Sequence, residues 1–340
     1  MRLICAAATL AIAMGCGETE RPVGGPGTTG NGGRLDARQE RPARKRVFFS
    51  AEPAPQAVVR EAYAAAEGWY PRDAKRLMEV VEEHLRKGAG VKEKDAVMLV
   101  APHAGMMFCG KVAGHAYAPL EGAHYDLVVV LGTGHGGRSS VCLVDAYRQP
   151  WGDVPVDRKL AEKISKELGI GYHPELHKVE HAVEMQLPFL CAVLKDFKMV
   201  AVLISDDMAG KGEALGAKLA ALLKNRKTLI VVSTDMSHYL NAKEATEADR
   251  EFLKEMETLD AGKIREKMRR LLAAYERPAP PGQAAPKAGP CGFEALLAGL
   301  SAAKALGGKR WALLKYANSY DTTGTGRERV VGYAAAMILK

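Results

Sequence analysis

With 340 residues, 47% of them hydrophobic and 26% charged, the chain carries enough apolar material to bury a sizeable core, and its composition is that of globular proteins rather than disordered or membrane ones. No apolar run reaches the roughly 20 residues that a spanning helix requires, so no transmembrane segment is expected, and one large domain or two small ones is the natural division. Half of the net charge of +8 lies in residues 1–46, where eight basic side chains face four acidic ones with no interleaved aromatics; this is the pattern of a solvated spacer, and no nucleic-acid partner is expected.

In chain order, Met1-Arg2 forms a minimal positive start and Leu3 to Met14 an apolar segment of signal-peptide length. Ala13-Met14-Gly15-Cys16 reads as a lipobox, with Cys16 as the lipidated residue. Residues 17–51, rich in Gly, Pro and Arg and lacking hydrophobic periodicity, read as a flexible tether, and 52–340 as the folded domain. The expected location is the cell envelope, as an exported lipoprotein that touches membrane only through its anchor; a cytoplasmic location is the alternative. Cys109, Cys142, Cys191 and Cys291 remain in the domain without CxxC spacing, so neither a zinc knuckle nor a disulfide framework is indicated.

Within the domain, brief Val/Leu/Ile-rich runs alternate with amphipathic segments. Ala96–Ala101, Leu127–Leu131, Met199–Ile204, Leu229–Ser233, Trp311–Tyr316 and Val330–Leu339 read as strands. Arg72–Leu85, Asp157–Leu168, Val183–Leu194, Gly212–Leu223, Ala245–Thr258, Ile264–Tyr275 and Gly292–Ala305 read as helices. The alternation predicts a single α/β domain with a central mixed, mostly parallel sheet flanked by helices. Arg277–Pro290, with five prolines among small residues, is a surface loop leading into Cys291.

Polar constellations follow the strand ends. Pro102-His103-Ala104-Gly105 comes after the first strand and Gly132-Thr133-Gly134-His135-Gly136-Gly137 after the second, and ligands of open α/β sheets bind at such carboxyl ends. The glycine run is no dinucleotide fingerprint, because its third glycine is early and no acidic ribose partner follows. Thr234-Asp235-Met236-Ser237-His238-Tyr239 places a carboxylate where it can orient the His238 imidazole. In Glu180-His181-Ala182-Val183-Glu184, His181 and Glu184 share a helix face, while Glu180 and Glu184 taken alone read as charges complementing a helix N-terminus. Cys291 precedes a helix, where a thiol has a depressed pKa and is a ready ligand or nucleophile.

Taken in order, these stretches resemble the Memo family, of the kind called AmmeMemoRadiSam system protein B. The matching pieces are Gly68–Pro71, Pro102–Gly105, Leu131–Gly137, Gly152–Asp157, Glu180–Phe189, Ser233–Tyr239, Cys291-Gly292 and Val330–Ala334. The resemblance implies a LigB-like fold, similar to class III extradiol dioxygenases that hold non-haem iron. It makes His103, His135 and Cys291 the metal ligands, with His238 and Asp235 in the acid/base position and Glu180 and His181 lining the pocket. It implies a divalent transition metal, Fe(II) first and Cu or Zn next, and a metal-dependent oxidoreductase acting on a small-molecule substrate and O2. The alternative it implies is a non-catalytic metal-binding or redox partner of radical-SAM and AMMECR-type proteins. Where the family commonly has Gly-Pro-Ser-His-His, this chain has Gly-Thr-Gly-His-Gly, so the neighbour of His135 is lost.

Overall fold

The computed structural model describes residues 57–88, 90, 93 and 95–340; the expected signal, Cys16 and the tether lie outside them. The strands are β1 (Val59–Arg60), β2 (Ala96–Ala101), β3 (Leu127–Thr133), β4 (Ser140–Val141), β5 (Ala146–Gln149), β6 (Gly152–Pro155), β7 (Lys198–Ile204), β8 (Thr228–Ser233), β9 (His238–Leu240), β10 (Arg310–Asn318) and β11 (Val330–Leu339). The helices are α1 (Tyr63–Ala66), α2 (Ala74–Lys87), α3 (Met106–Tyr117), α4 (Arg158–Leu168), α5 (Pro174–Val179), α6 (Leu187–Val193), α7 (Gly212–Leu223), α8 (Ala242–Glu255), α9 (Ala261–Tyr275), α10 (Phe293–Ala305) and α11 (Ser319–Thr323).

The main sheet runs β10-β11-β2-β8-β3-β7-β4, with β9 added against β11. Its centre, β2-β8-β3-β7, is parallel, while β4, β10 and β11 pair antiparallel. This is the mixed α/β domain that the alternation predicts, although parallel pairing is confined to the four central strands and does not predominate over the antiparallel pairing at the edges. Both faces of the parallel strands are covered, which is why they read as unbroken apolar runs. Alternate side chains enter opposite cores: Val128 and Val130 pack with α2, α3 and α6, and Leu127, Val129 and Leu131 pack with α4, α7, α9 and α10. A three-stranded sheet, β1-β5-β6, adds to the first layer.

Side-chain caps decide where several helices begin. Asp73, Asp157, Asn241 and Asp260 each accept a backbone N–H from the first turn, so α2 starts two residues after the expected Arg72, α8 starts at Ala242 and α9 at Ala261. The expected helix Val183–Leu194 is divided, with a 3-10 turn at Glu184–Gln186 before α6. Residues 277–290 form an irregular loop, apart from a bridge between Lys287 and His238.

Candidate metal centre

Register explains how distant histidines meet. Ala101, Ser233 and Gly132 lie level across β2, β8 and β3. Each chain then leaves the same carboxyl edge, delivering His103, Asp235 and His135 within two or three residues. The Glu180–Gln186 segment crosses this edge and brings His181. The ring nitrogens of His103, His135 and His181 come within 4.8 Å of one another. Ring centroids are 5.2 Å apart for His103 with His135, 5.2 Å for His103 with His181, and 4.6 Å for the stacked His135 and His181.

Cys291 reaches the same point from the N-terminus of α10, its sulfur 3.5 Å from His103 Nε2 and 3.4 Å from the hydroxyls of Thr133 and Thr234. A Cβ on Gly292 would lie 2.5 Å from Thr133 Oγ1, so only glycine lets α10 approach β3 this closely. The structure therefore brings together the three ligands that the resemblance implies, and adds His181, which it places only as pocket lining.

The His103 and His135 rings each have the far edge fixed. Ser233 donates its hydrogen to the Ala182 carbonyl at 2.6 Å, so its oxygen accepts from His103 Nδ1 at 3.0 Å and leaves Nε2 facing the centre. Gln186 Nε2 donates to Ser233 Oγ and to the Pro102 carbonyl, while its Oε1 accepts from Tyr117. The Glu180 carboxylate accepts from His135 Nδ1 at 2.9 Å and from the His135 and Ala182 backbone N–H groups. Carboxylate or hydroxyl partners of this kind hold metal-binding histidines in one tautomer. Nothing in the sequence spacing points to Ser233 or Gln186; their partners are fixed only by assembly of the sheet.

Charge is concentrated here. Burial would push the Cys291 thiol up, but the charge of His103 and hydrogen bonds from His103 and His135 hold it well below the ordinary thiol range. Burial likewise opposes charge on His135, yet its bonds to Cys291 and Glu180 raise it to about 10. Glu180, pushed up by burial, is drawn down to about 2 by His135. Burial and the charge of His103 press His181 down to about 3, leaving it a neutral ring with a lone pair.

Two roles differ from the sequence reading. The Asp235 carboxylate does not hydrogen-bond the His238 ring; it accepts the backbone N–H of His103 at 2.8 Å, and His238 Nδ1 instead donates to the Met236 carbonyl at 2.8 Å. Asp235 thus fixes the turn carrying a ligand candidate. His181 and Glu184 also part company, because the segment is a turn followed by 3-10 structure rather than a continuous α-helix at that point. Glu184 faces the N-terminal segment, where it pairs with Arg60 and accepts the first N–H groups of α1.

A cavity of about 540 Å³ opens onto His135 and Cys291, with Met268, Leu272 and Phe293 as its apolar wall and Arg265 and Lys287 among its polar groups. That volume suits a small molecule.

A sequence profile for the family described as Memo-like protein matches residues 60–337. A MEMO1 family protein of Methanosarcina mazei is 33% identical over 289 residues, spanning 81% of this chain and 97% of the relative. One from Aquifex aeolicus is 32% identical over 281 residues, spanning 81% of this chain and 98% of the relative. Among solved structures, uncharacterized protein JW3007 from Escherichia coli K12 overlays with a TM-score of 0.39 at 15% identity, across 62% of this chain and 86% of that one, a likeness too loose to carry an argument.

Proposed function

The chain belongs to the Memo family, and from that premise we propose that its histidine-rich pocket is a transition-metal centre serving an oxidoreductase. The observation that carries the reading is the convergence of three imidazoles and one sulfur from four separate segments, each imidazole nitrogen within 4.8 Å of the other two. The donor set fits a metal: the Cys291 sulfur and the imidazole nitrogens converge on one point, and Ser233 and Glu180 engage the far Nδ1 atoms of His103 and His135, leaving Nε2 of each directed at that point.

His103, His135 and Cys291 would hold the ion, with His181 available as a further donor. Two imidazoles and a thiolate suit Fe(II), Cu or Zn, and the resemblance to extradiol dioxygenases puts Fe(II) first. When bound, the ion would supply redox chemistry toward a small-molecule substrate and O2. The rest falls to the chain. His238 donates its Nδ1 hydrogen to Met236, so Nε2 can accept a proton. Met268, Leu272 and Phe293 would exclude water from one side of a substrate in the cavity. A partnership with radical-SAM and AMMECR-type proteins is the second reading we propose, and it rests on the sequence resemblance alone.

Anaerobic purification followed by metal analysis tests the reading. The parent protein should carry close to one equivalent of metal. The His103→Ala and Cys291→Ala variants should lose most of it, with affinities weaker by at least roughly 10–100-fold. Equal metal content in all three would remove the assignment. His238→Ala should keep the metal and lose O2 consumption; metal without O2 consumption in the parent would leave a binding role alone.

A further inference from the structure

Asp249 lies on α8, fully buried and outside the cluster of imidazoles. Its Oδ1 accepts both the backbone N–H of Ser237, at 3.0 Å, and the Ser237 hydroxyl, and its Oδ2 accepts the Tyr316 hydroxyl at 2.8 Å. Burying a carboxylate is unfavourable unless donors satisfy it, and an apolar residue would fill this space without that cost. The partners it holds lead to the metal centre.

Ser237 Oγ has one hydrogen, directed at Asp249, so its lone pair faces the Gly289 N–H at 2.9 Å. Gly289 is two residues before Cys291. Around this bond the loop and the 234–238 turn are joined along their length. His238 and Lys287 exchange a pair of backbone bonds at 2.8 Å, Cys291 N donates to Asp235 O at 3.0 Å, and Gly292 N donates to Thr234 Oγ1 at 2.9 Å. Within this ladder the Gly289 bond alone ends on an acceptor aimed by a distant side chain. The loop needs that hold: Gly289 has φ +77°, and a Cβ there would meet Met268 Sδ at 2.6 Å. Pro286 and Pro290, on either side of it, have no N–H to add to the ladder.

We propose that Asp249 is a positioning residue which, through the Ser237 hydroxyl, fixes the loop at Gly289 and so sets where the Cys291 sulfur sits against His103. The consequence for metal binding rests on the reading of Cys291 as a ligand; the consequence for the loop does not.

The test uses the full-length protein, with hydrogen exchange of the 286–292 stretch followed by mass spectrometry before any metal is added, and then a titration with Co(II). In Asp249→Ala and Ser237→Ala the loop amides should exchange at least ~10-fold faster while β3 amides stay as in the parent, a local opening rather than a global one. Both variants should bind Co(II) roughly 10–100-fold more weakly and lose thiolate-to-cobalt absorption. Asp249→Asn should behave as the parent on both measures, because an amide oxygen can accept from Ser237 and its N–H can donate to Tyr316. Unchanged loop exchange in the folded alanine variants overturns the proposal, and so does an asparagine variant as loose as alanine. If Asp249→Ala fails to fold, Ser237→Ala and Asp249→Asn decide by the same outcomes. A parent that takes up no Co(II) sinks the metal reading alone, and loop exchange still decides the role of Asp249.

Discussion

Removing the Ser233 hydroxyl would leave His103 Nδ1 without its acceptor and free the ring to change tautomer or turn. Because Ser233 lies fully buried, no water replaces the lost oxygen at once. Ser233→Ala should keep the fold and weaken metal binding by roughly 10–100-fold, the range for groups that support a ligand without touching the ion. Competition with a chelator of known affinity measures it, and parental affinity would refute the role. His177 acts on stability instead. Burial, reinforced by the charge of Arg60, holds its ring down at about 4, below the ordinary imidazole value of 6.5. The unfolded chain takes up this proton as pH falls past about 6.5, while the folded chain resists until about 4. Its contribution is therefore complete above the upper value and is lost as pH falls through the window, at most on the order of 3 kcal/mol. His177→Gln should flatten urea-unfolding stability between those pH values; a slope equal to that of the parent would refute the assignment.

At the scale of elements, one ion pair ties the N-terminal segment to the segment carrying His181. Arg60 is buried, pairs with Glu184, and donates to the Glu180 carbonyl at 2.6 Å and the His177 carbonyl at 2.9 Å. Glu184 in turn accepts Tyr70 Oη at 2.6 Å and the N–H groups that open α1. Arg60→Met would leave a buried carboxylate without its cation and should cost about 3–5 kcal/mol in chemical unfolding, with Arg60→Met/Glu184→Gln recovering part of it. A loss below about 1 kcal/mol, the range of exposed pairs, would contradict this.

Such cross-links explain what can be read from sequence alone. Five of the six long strands, β2, β3, β7, β8 and β11, are legible because burial on both faces makes runs such as Val128 to Leu131 or Ile230 to Val232 continuously apolar, whereas β10 at the sheet edge is partly exposed. Helix α3 is not legible, because Gly110 and Gly114 allow close packing on His84 and blur the polar stripe of a surface helix. Among the short strands, β4 depends on the distant β7, while β5 and β6 form a hairpin of four-residue strands, too short to show a period, that the distant β1 extends. In the centre, His103, His135 and Cys291 stand out beside strand ends and a helix start. The direction of the Asp235 carboxylate and the entry of His181 depend on how a turn crosses the sheet edge, which spacing does not specify.

At the scale of the whole molecule, His103, His135, His181 and Cys291 are contributed by four segments spread over nearly 190 positions, and only the assembled sheet edge unites them. Metal affinity and folding are then linked, since the unfolded chain offers no such site. The same assembly sets Trp69 against the His181 ring, centroids 4.2 Å apart, whereas the other two tryptophans, Trp151 and Trp311, lie buried elsewhere in the two cores. One indole of three is thus an optical gauge built onto the pocket wall. Cu(II) added to the protein should dim its emission, because Trp69 is in ring contact with His181 of the centre. Trp69→Phe should erase that response while leaving copper uptake intact, so light output would follow occupancy without any label.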